Sequence, residues 1–194
     1  MAKTPQLTKS RNAVLQKLRS FFIYWREPLA LFTGWRLALG ALPFFAWVLF
    51  PVVKPDSRSG YILPSLNFWG ERLLGVWSRW DGEWFLKVAT QGYQDGDGTL
   101  AFFPLYPALV KILGVLLLEN YLLAAVILSS AFALLCLCLL YELARREFGE
   151  ETAKKSALYL AVFPTAFFLV ACYTESLFLA LVLGSFLAAR RYRN

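Results

Sequence analysis

The chain has 194 residues, 58% hydrophobic and 17% charged, with a formal net charge of +7, three cysteines and no histidine. An ordinary soluble domain carries about 45–50% apolar residues and about 25% charge. The composition therefore points to a bilayer, where Lys and Arg follow topology and the positive charge needs no nucleic acid to explain it.

Without histidine there is no imidazole base and no Ser-His-Asp or Cys-His nucleophile. Acid/base chemistry falls to carboxylates, Lys or Tyr. Cys136, Cys138 and Cys172 lie in apolar runs and form no CxxC pair, so they read as small core residues. No metal or cofactor is expected.

Residues 1–28 read as a basic amphipathic helix on the cytoplasmic leaflet. Val14, Leu18, Phe21, Phe22 and Trp25 fall at helical spacing, with Arg11, Lys17 and Arg19 between them. A span needs about 20 residues to cross ~30 Å of hydrocarbon, and four are expected, at 29–53, 121–143, 157–172 and 176–189. Arg36, about two turns into the first span, is expected to snorkel toward its cytoplasmic end. Between the first two spans lies a long aromatic loop, 54–120. Its last part, Phe102–Leu118, holds Lys111 and leaves a short apolar run after Pro107, which suits an interfacial or re-entrant helix. With that segment not crossing, thirteen of the 20 basic residues fall in cytoplasmic segments and six in the external loop. The positive-inside rule then favours four spans with both termini cytoplasmic. The expected fold is all-α integral membrane, the 1–28 segment preceding a membrane domain over 29–194.

Chemistry is expected in the external loop. From Trp77 to Tyr93 the sequence reads as a Trp-rich surface helix, with Trp80, Trp84, Phe85 and Val88 on one face and Gly92 as its stop. Asp81 falls beside that face, whereas Glu83 points away. A carboxylate held against indole rings is partly desolvated and a better base for a hydroxyl. Alternatively, Asp81 only stabilises a first helical turn capped by Ser78. Phe102-Phe103-Pro104-Leu105-Tyr106-Pro107 reads as a helix entry. Tyr173-Thr174-Glu175-Ser176 brings a second carboxylate to the same face. Asp95-Gly96-Asp97-Gly98 reads as a turn.

In order and spacing, Arg79-Trp80-Asp81-Gly82, Gly92-Tyr93, Phe102 to Pro107 and Tyr173-Thr174-Glu175-Ser176-Leu177-Phe178 resemble the PIG-V-like (GPI mannosyltransferase II) family of integral-membrane mannosyltransferases. The resemblance covers about residues 30–190. It implies a GT-C fold, of which this chain would be the N-terminal half, with two surface-lying helices in the first external loop. It also implies a polyprenyl- or dolichol-phosphate-mannose donor and inverting transfer to a hydroxyl of a glycan or glycolipid acceptor. By the same resemblance Asp81 is the base. Arg79, with Lys87 or Arg72, offsets charge on the departing lipid phosphate, while Trp80, Tyr106, Tyr173 and Glu175 complete the substrate site. Family members are longer, which brings in a partner membrane subunit or further chain. The main rival is a non-catalytic membrane subunit of a larger transferase. A flippase fits less well, because the spans hold few polar groups at mid-depth.

Overall fold

The computed structural model describes residues 4–49 and 73–191, with side chains from Arg19 onward except those of residues 46, 47 and 191. Six α-helices are found among these residues: α1 (Thr4–Leu49), α2 (Asp81–Gln91), α3 (Leu105–Leu116), α4 (Tyr121–Phe148), α5 (Glu150–Val162) and α6 (Glu175–Arg191). Short 3-10 turns stand at Gly75–Ser78, Thr99–Ala101 and Ala166–Leu169, and there is no strand among the described residues. This bears out the all-α membrane class. Two helical stretches, Arg19–Phe45 within α1 and Tyr121–Phe148, are long and apolar enough to cross a membrane. The side chains of Val14 and Leu18, and the whole of residues 50–72 with Arg72, lie outside the described residues.

The expected boundary between a surface helix and a first span at residue 29 is absent. α1 runs unbroken for 46 residues, about 69 Å at the α-helical rise. Pro28 removes one helical donor but is fully buried. Trp25, Leu31, Phe32 and Trp35 of α1 pack on Leu137 and Tyr141 of α4 and on Ala153, Ala157 and Ala161 of α5. Those alanines recur every four residues and so share one face of α5, where small side chains let another helix approach closely.

Ion pairs fix one end of the bundle. Tyr24 donates to Glu142 and is itself contacted by Arg145. Lys154 lies 3.5 Å from Glu27, and Arg190 pairs with Glu147. From this end α1 rises, α4 returns to it, α5 rises and α6 returns. These four helices thus alternate in direction, and their bounds differ from the segments expected. The third of these helices does not cover 157–172. α5 begins at Glu150 and stops at Val162, because Pro164 disfavours helical backbone at the residue before it and Phe163 is extended (ψ 137°). At 13 residues, or about 20 Å, α5 alone is too short for ~30 Å of hydrocarbon. The fourth, α6, starts beside the middle of α4, where the Cys136 thiol donates to the Ser176 carbonyl at 3.0 Å.

α3 and α4 form a hairpin. Gly114 makes its close turn, since a Cβ there would lie 2.3 Å from the Tyr121 ring, and the Asn120 side chain caps α4 by accepting from the Leu123 amide. Tyr106, at the start of α3, reaches Ser129 Oγ at 2.7 Å. The segment Phe102–Leu118, expected to be interfacial or re-entrant, supplies α3, which lies along α4.

Candidate active site

The backbone makes a sharp corner before α2. Arg79 is extended (ψ 161°), and Trp80 sits at φ 53°, a left-handed value that costs a non-glycine residue about 1–3 kcal/mol and persists only where surrounding structure holds it. Here the hold is visible. The Arg79 carbonyl accepts from the Gly82 amide at 3.1 Å and from the Tyr173 hydroxyl at 2.8 Å. One turn earlier the Trp77 carbonyl accepts from the Cys172 amide at 2.8 Å. Segments nearly a hundred residues apart are therefore clamped together, and the clamp aims the first turn of α2 at the first turn of α6.

Asp81 opens α2 and is exposed, and Glu175 opens α6. Each carboxylate stands at the positive end of a helix dipole. Protein packed around the Glu175 carboxyl raises it above the usual carboxylate value, and the charge of Asp81 raises it further, against the stabilising amides of Glu175 and Thr174. Burial, then the Asp81 charge, pushes the Tyr173 hydroxyl up to about 12, so at neutral pH it keeps the proton it donates to Arg79. Among the described residues no three His, Cys, Asp or Glu side chains converge to hold a metal.

Two apolar grooves meet at this corner. One of ≈ 550 Å³ runs between α1 and the bend at 161–167 and is bordered by Trp35, Leu39, Trp77, Arg79, Trp80 and Tyr173. The other, of ≈ 410 Å³, is bordered by Phe85, Phe102, Phe103, Thr174 and Phe178. The adjacent residues Tyr173 and Thr174 open on different grooves, with Glu175 next in the chain. Such a site can hold two apolar chains on either side of a carboxylate pair.

Of the expected site residues, Arg79, Trp80, Asp81, Tyr173 and Glu175 come together and Tyr106 borders the second groove, whereas Lys87 is engaged elsewhere. Lys87 is nearly buried and pairs with Asp97 at 2.9 Å. The Thr99 hydroxyl and amide, and then Lys87, hold the Asp97 carboxyl down to about 2. The Asp95 to Gly98 turn is thus tied to α2. Tyr106 is 1% exposed and spends its hydroxyl on Ser129. Ser78 does not cap α2; its hydroxyl donates to the Gly75 carbonyl, and the helix begins three residues later. Nor is α2 a surface helix with one sunken face. Glu83, Leu86 and Ala89 are buried as well as Phe85 and Val88, and Phe85 packs edge-on against Phe102 and Tyr106 at 5.0 and 5.3 Å. Only Trp80 of the expected aromatic face is largely exposed, at 70%.

The description "Mannosyltransferase (PIG-V)" belongs to the family model that matches residues 43–193. The chain belongs to the PIG-V mannosyltransferase family. It is 31% identical to GPI mannosyltransferase 2 of Drosophila melanogaster over 153 residues, which cover 73% of this chain and 33% of that protein. With GPI alpha-1,6-mannosyltransferase 2 of Cricetulus griseus it shares 31% identity over 163 residues, 75% of this chain and 33% of the relative. The matched part of the chain thus covers about a third of the length of these curated relatives. No solved structure matches it significantly. All five residues that meet at the corner lie inside the PIG-V match.

Sequence reasoning missed three features of this PIG-V site: the cradle of Trp77 and Cys172 behind Gly82, the wall at 161–167, and Arg36. For the wall, the Phe163-Pro164 pair was a usable helix-stop signal. Arg36 has a defined partner. Its guanidinium lies 4.6 Å from the centroid of the Trp77 ring, a contact across the fold that no local spacing reveals.

Proposed function

We propose that this chain carries the catalytic corner of a mannosyltransferase that takes mannose from a polyprenyl-phosphate donor and delivers it, with inversion, to a hydroxyl of a lipid-linked or glycan acceptor. Asp81 accepts the acceptor's proton as its oxygen attacks the anomeric carbon. The bond from that carbon to the phosphate oxygen breaks, and the lipid phosphate leaves with the electron pair. The Arg79 guanidinium faces the charge gathered there, and Trp80 borders the same groove. Glu175 positions the sugar or acceptor, and Tyr173 holds the Arg79–Trp80 corner in shape. In this proposal the fold is the N-terminal part of a GT-C arrangement in a multi-pass protein. The site opens on the outer or lumenal face and both chain ends lie in the cytoplasm, a reading supported by the alternating direction of α1, α4, α5 and α6.

The observation that carries this reading is the Tyr173–Arg79 hydrogen bond, because it joins the two carboxylate-bearing motifs between two apolar grooves. The test is transfer of labelled mannose from polyprenyl-phosphate mannose in membranes holding the chain. Transfer that depends on Asp81 is expected. A non-catalytic membrane subunit of a larger transferase would instead show none with the chain alone, and would leave a partner's transfer unchanged by Asp81→Asn.

A further inference from the structure

Arg36 has no part in the mechanism above, yet it sits within the stretch of α1 long and apolar enough to cross a membrane. A cation at such a position is costly and is retained where it meets a partner or a functional path. Its observed contact is the face of Trp77. Among the described residues no carboxylate pairs with it: the nearest acid along α1, Glu27, is engaged by Arg26 and Lys154. Arg79, two residues beyond Trp77, likewise makes no ion pair among the described residues. Trp77 and Arg79 border the same groove of ≈ 550 Å³.

The Arg36 guanidinium thus stacks on a buried indole that, with Arg79, borders an otherwise hydrocarbon-lined trough, and among the described residues neither arginine makes an ion pair. That arrangement is complementary to a single anionic head on an apolar chain. Stacking on Trp77 leaves the planar fork of Arg36 oriented and its N–H donors free for two phosphate oxygens. The second groove, by contrast, has no charged residue along its border, so the anionic lipid belongs in the first.

We propose that the groove between α1 and residues 161–167 seats the isoprenoid chain of polyprenyl phosphate and that Arg36, together with Arg79, binds its phosphate. The inference rests on the donor class named above, which selects an isoprenoid over a two-tailed phospholipid. It adds a residue that lies outside the part of the chain matched by the family model.

The test compares binding of polyprenyl phosphate, the matching polyprenol and phosphatidate to the full chain in neutral-lipid nanodiscs. The native chain should prefer the phosphate over the alcohol by roughly tenfold or more. Arg36→Gln should erase that preference while polyprenol binding persists, and Arg36→Lys should restore part of it. A packing role alone would lower stability without changing the phosphate-to-alcohol ratio. An unchanged ratio in Arg36→Gln, or phosphatidate competing equally in the native chain, would overturn the proposal. If Arg36→Gln does not fold, a photoreactive polyprenyl phosphate on the native chain decides. Labelling at 35–43 and 161–167 supports the site, and labelling confined to the Phe102–Phe178 groove overturns it. The two readings fail separately. Phosphate preference without mannose transfer removes the transferase, and transfer with an Arg36-independent preference removes this site.

Discussion

Tyr173→Phe is a small change with a defined consequence. It keeps the ring, and with it the contacts to Phe85 and Phe168 at 6.3 and 4.9 Å. What it removes is one half-buried hydrogen bond, the hydroxyl to the Arg79 carbonyl at 2.8 Å. That carbonyl retains the Gly82 amide, so it is not orphaned, and the loss is that of an ordinary bond, about 0.5–1.5 kcal/mol. This is comparable with the ~1–3 kcal/mol stored in the left-handed backbone of Trp80. Removing the clamp therefore lets the corner relax in a sizeable fraction of molecules. Mannose transfer should fall roughly three- to tenfold, and the thermal midpoint by about 2–4 °C. The assay is transfer in membranes beside thermal unfolding of the purified chain. A lowered midpoint with unchanged transfer would show that the corner does not position the reaction.

Three further outcomes follow from the ion pairs and carboxylates. Lys87→Gln should lower the thermal midpoint by a few degrees and leave transfer per folded molecule unchanged, because Lys87 is committed to Asp97; lost transfer in a folded variant would return it to the substrate site. The Asp97 carboxyl is depressed in the folded chain to about 2 from an ordinary 3.8. Its contribution to stability is therefore present above 3.8 and is lost as pH falls through about 2, and Asp97→Asn should flatten the unfolding profile in that window. Glu175 has the opposite sign. Its folded carboxyl is raised, so its ionised form destabilises at neutral pH and the penalty vanishes below its ordinary 4.5. Glu175→Gln should raise the midpoint at neutral pH, with the gain fading in acid, while transfer drops; a loss of stability at neutral pH would contradict the environment assigned to it.

The sequence was most legible where a signal is local. The apolar run 121–143 is continuous in the sequence, and the helix covers it and continues to Phe148. The Asp81 and Glu175 motifs announced themselves by residue type, and both open helices at the corner. Legibility failed where tertiary contact overrides local pattern. Lys87 and Arg79 are both basic residues of one loop, and only the fold decides that the first meets Asp97 while the second borders a groove. Tyr106 has the composition of an interfacial aromatic but finds Ser129 on the next helix. α1 continues through Pro28 because packing on α4 and α5 stabilises both sides of it. The helix bounds near 157–172 were not legible because hydropathy runs smoothly across Phe163-Pro164, whereas the helix stops at Val162.

The most direct test of the central claim is mannose transfer from polyprenyl-phosphate mannose by Asp81→Asn at matched membrane levels. The substitution keeps size and polarity at an exposed helix start, so insertion and the Tyr173–Arg79 clamp should survive. If Asp81 is the base, the rate falls by about 10²–10⁴. A rate equal to that of the native chain would contradict the assignment.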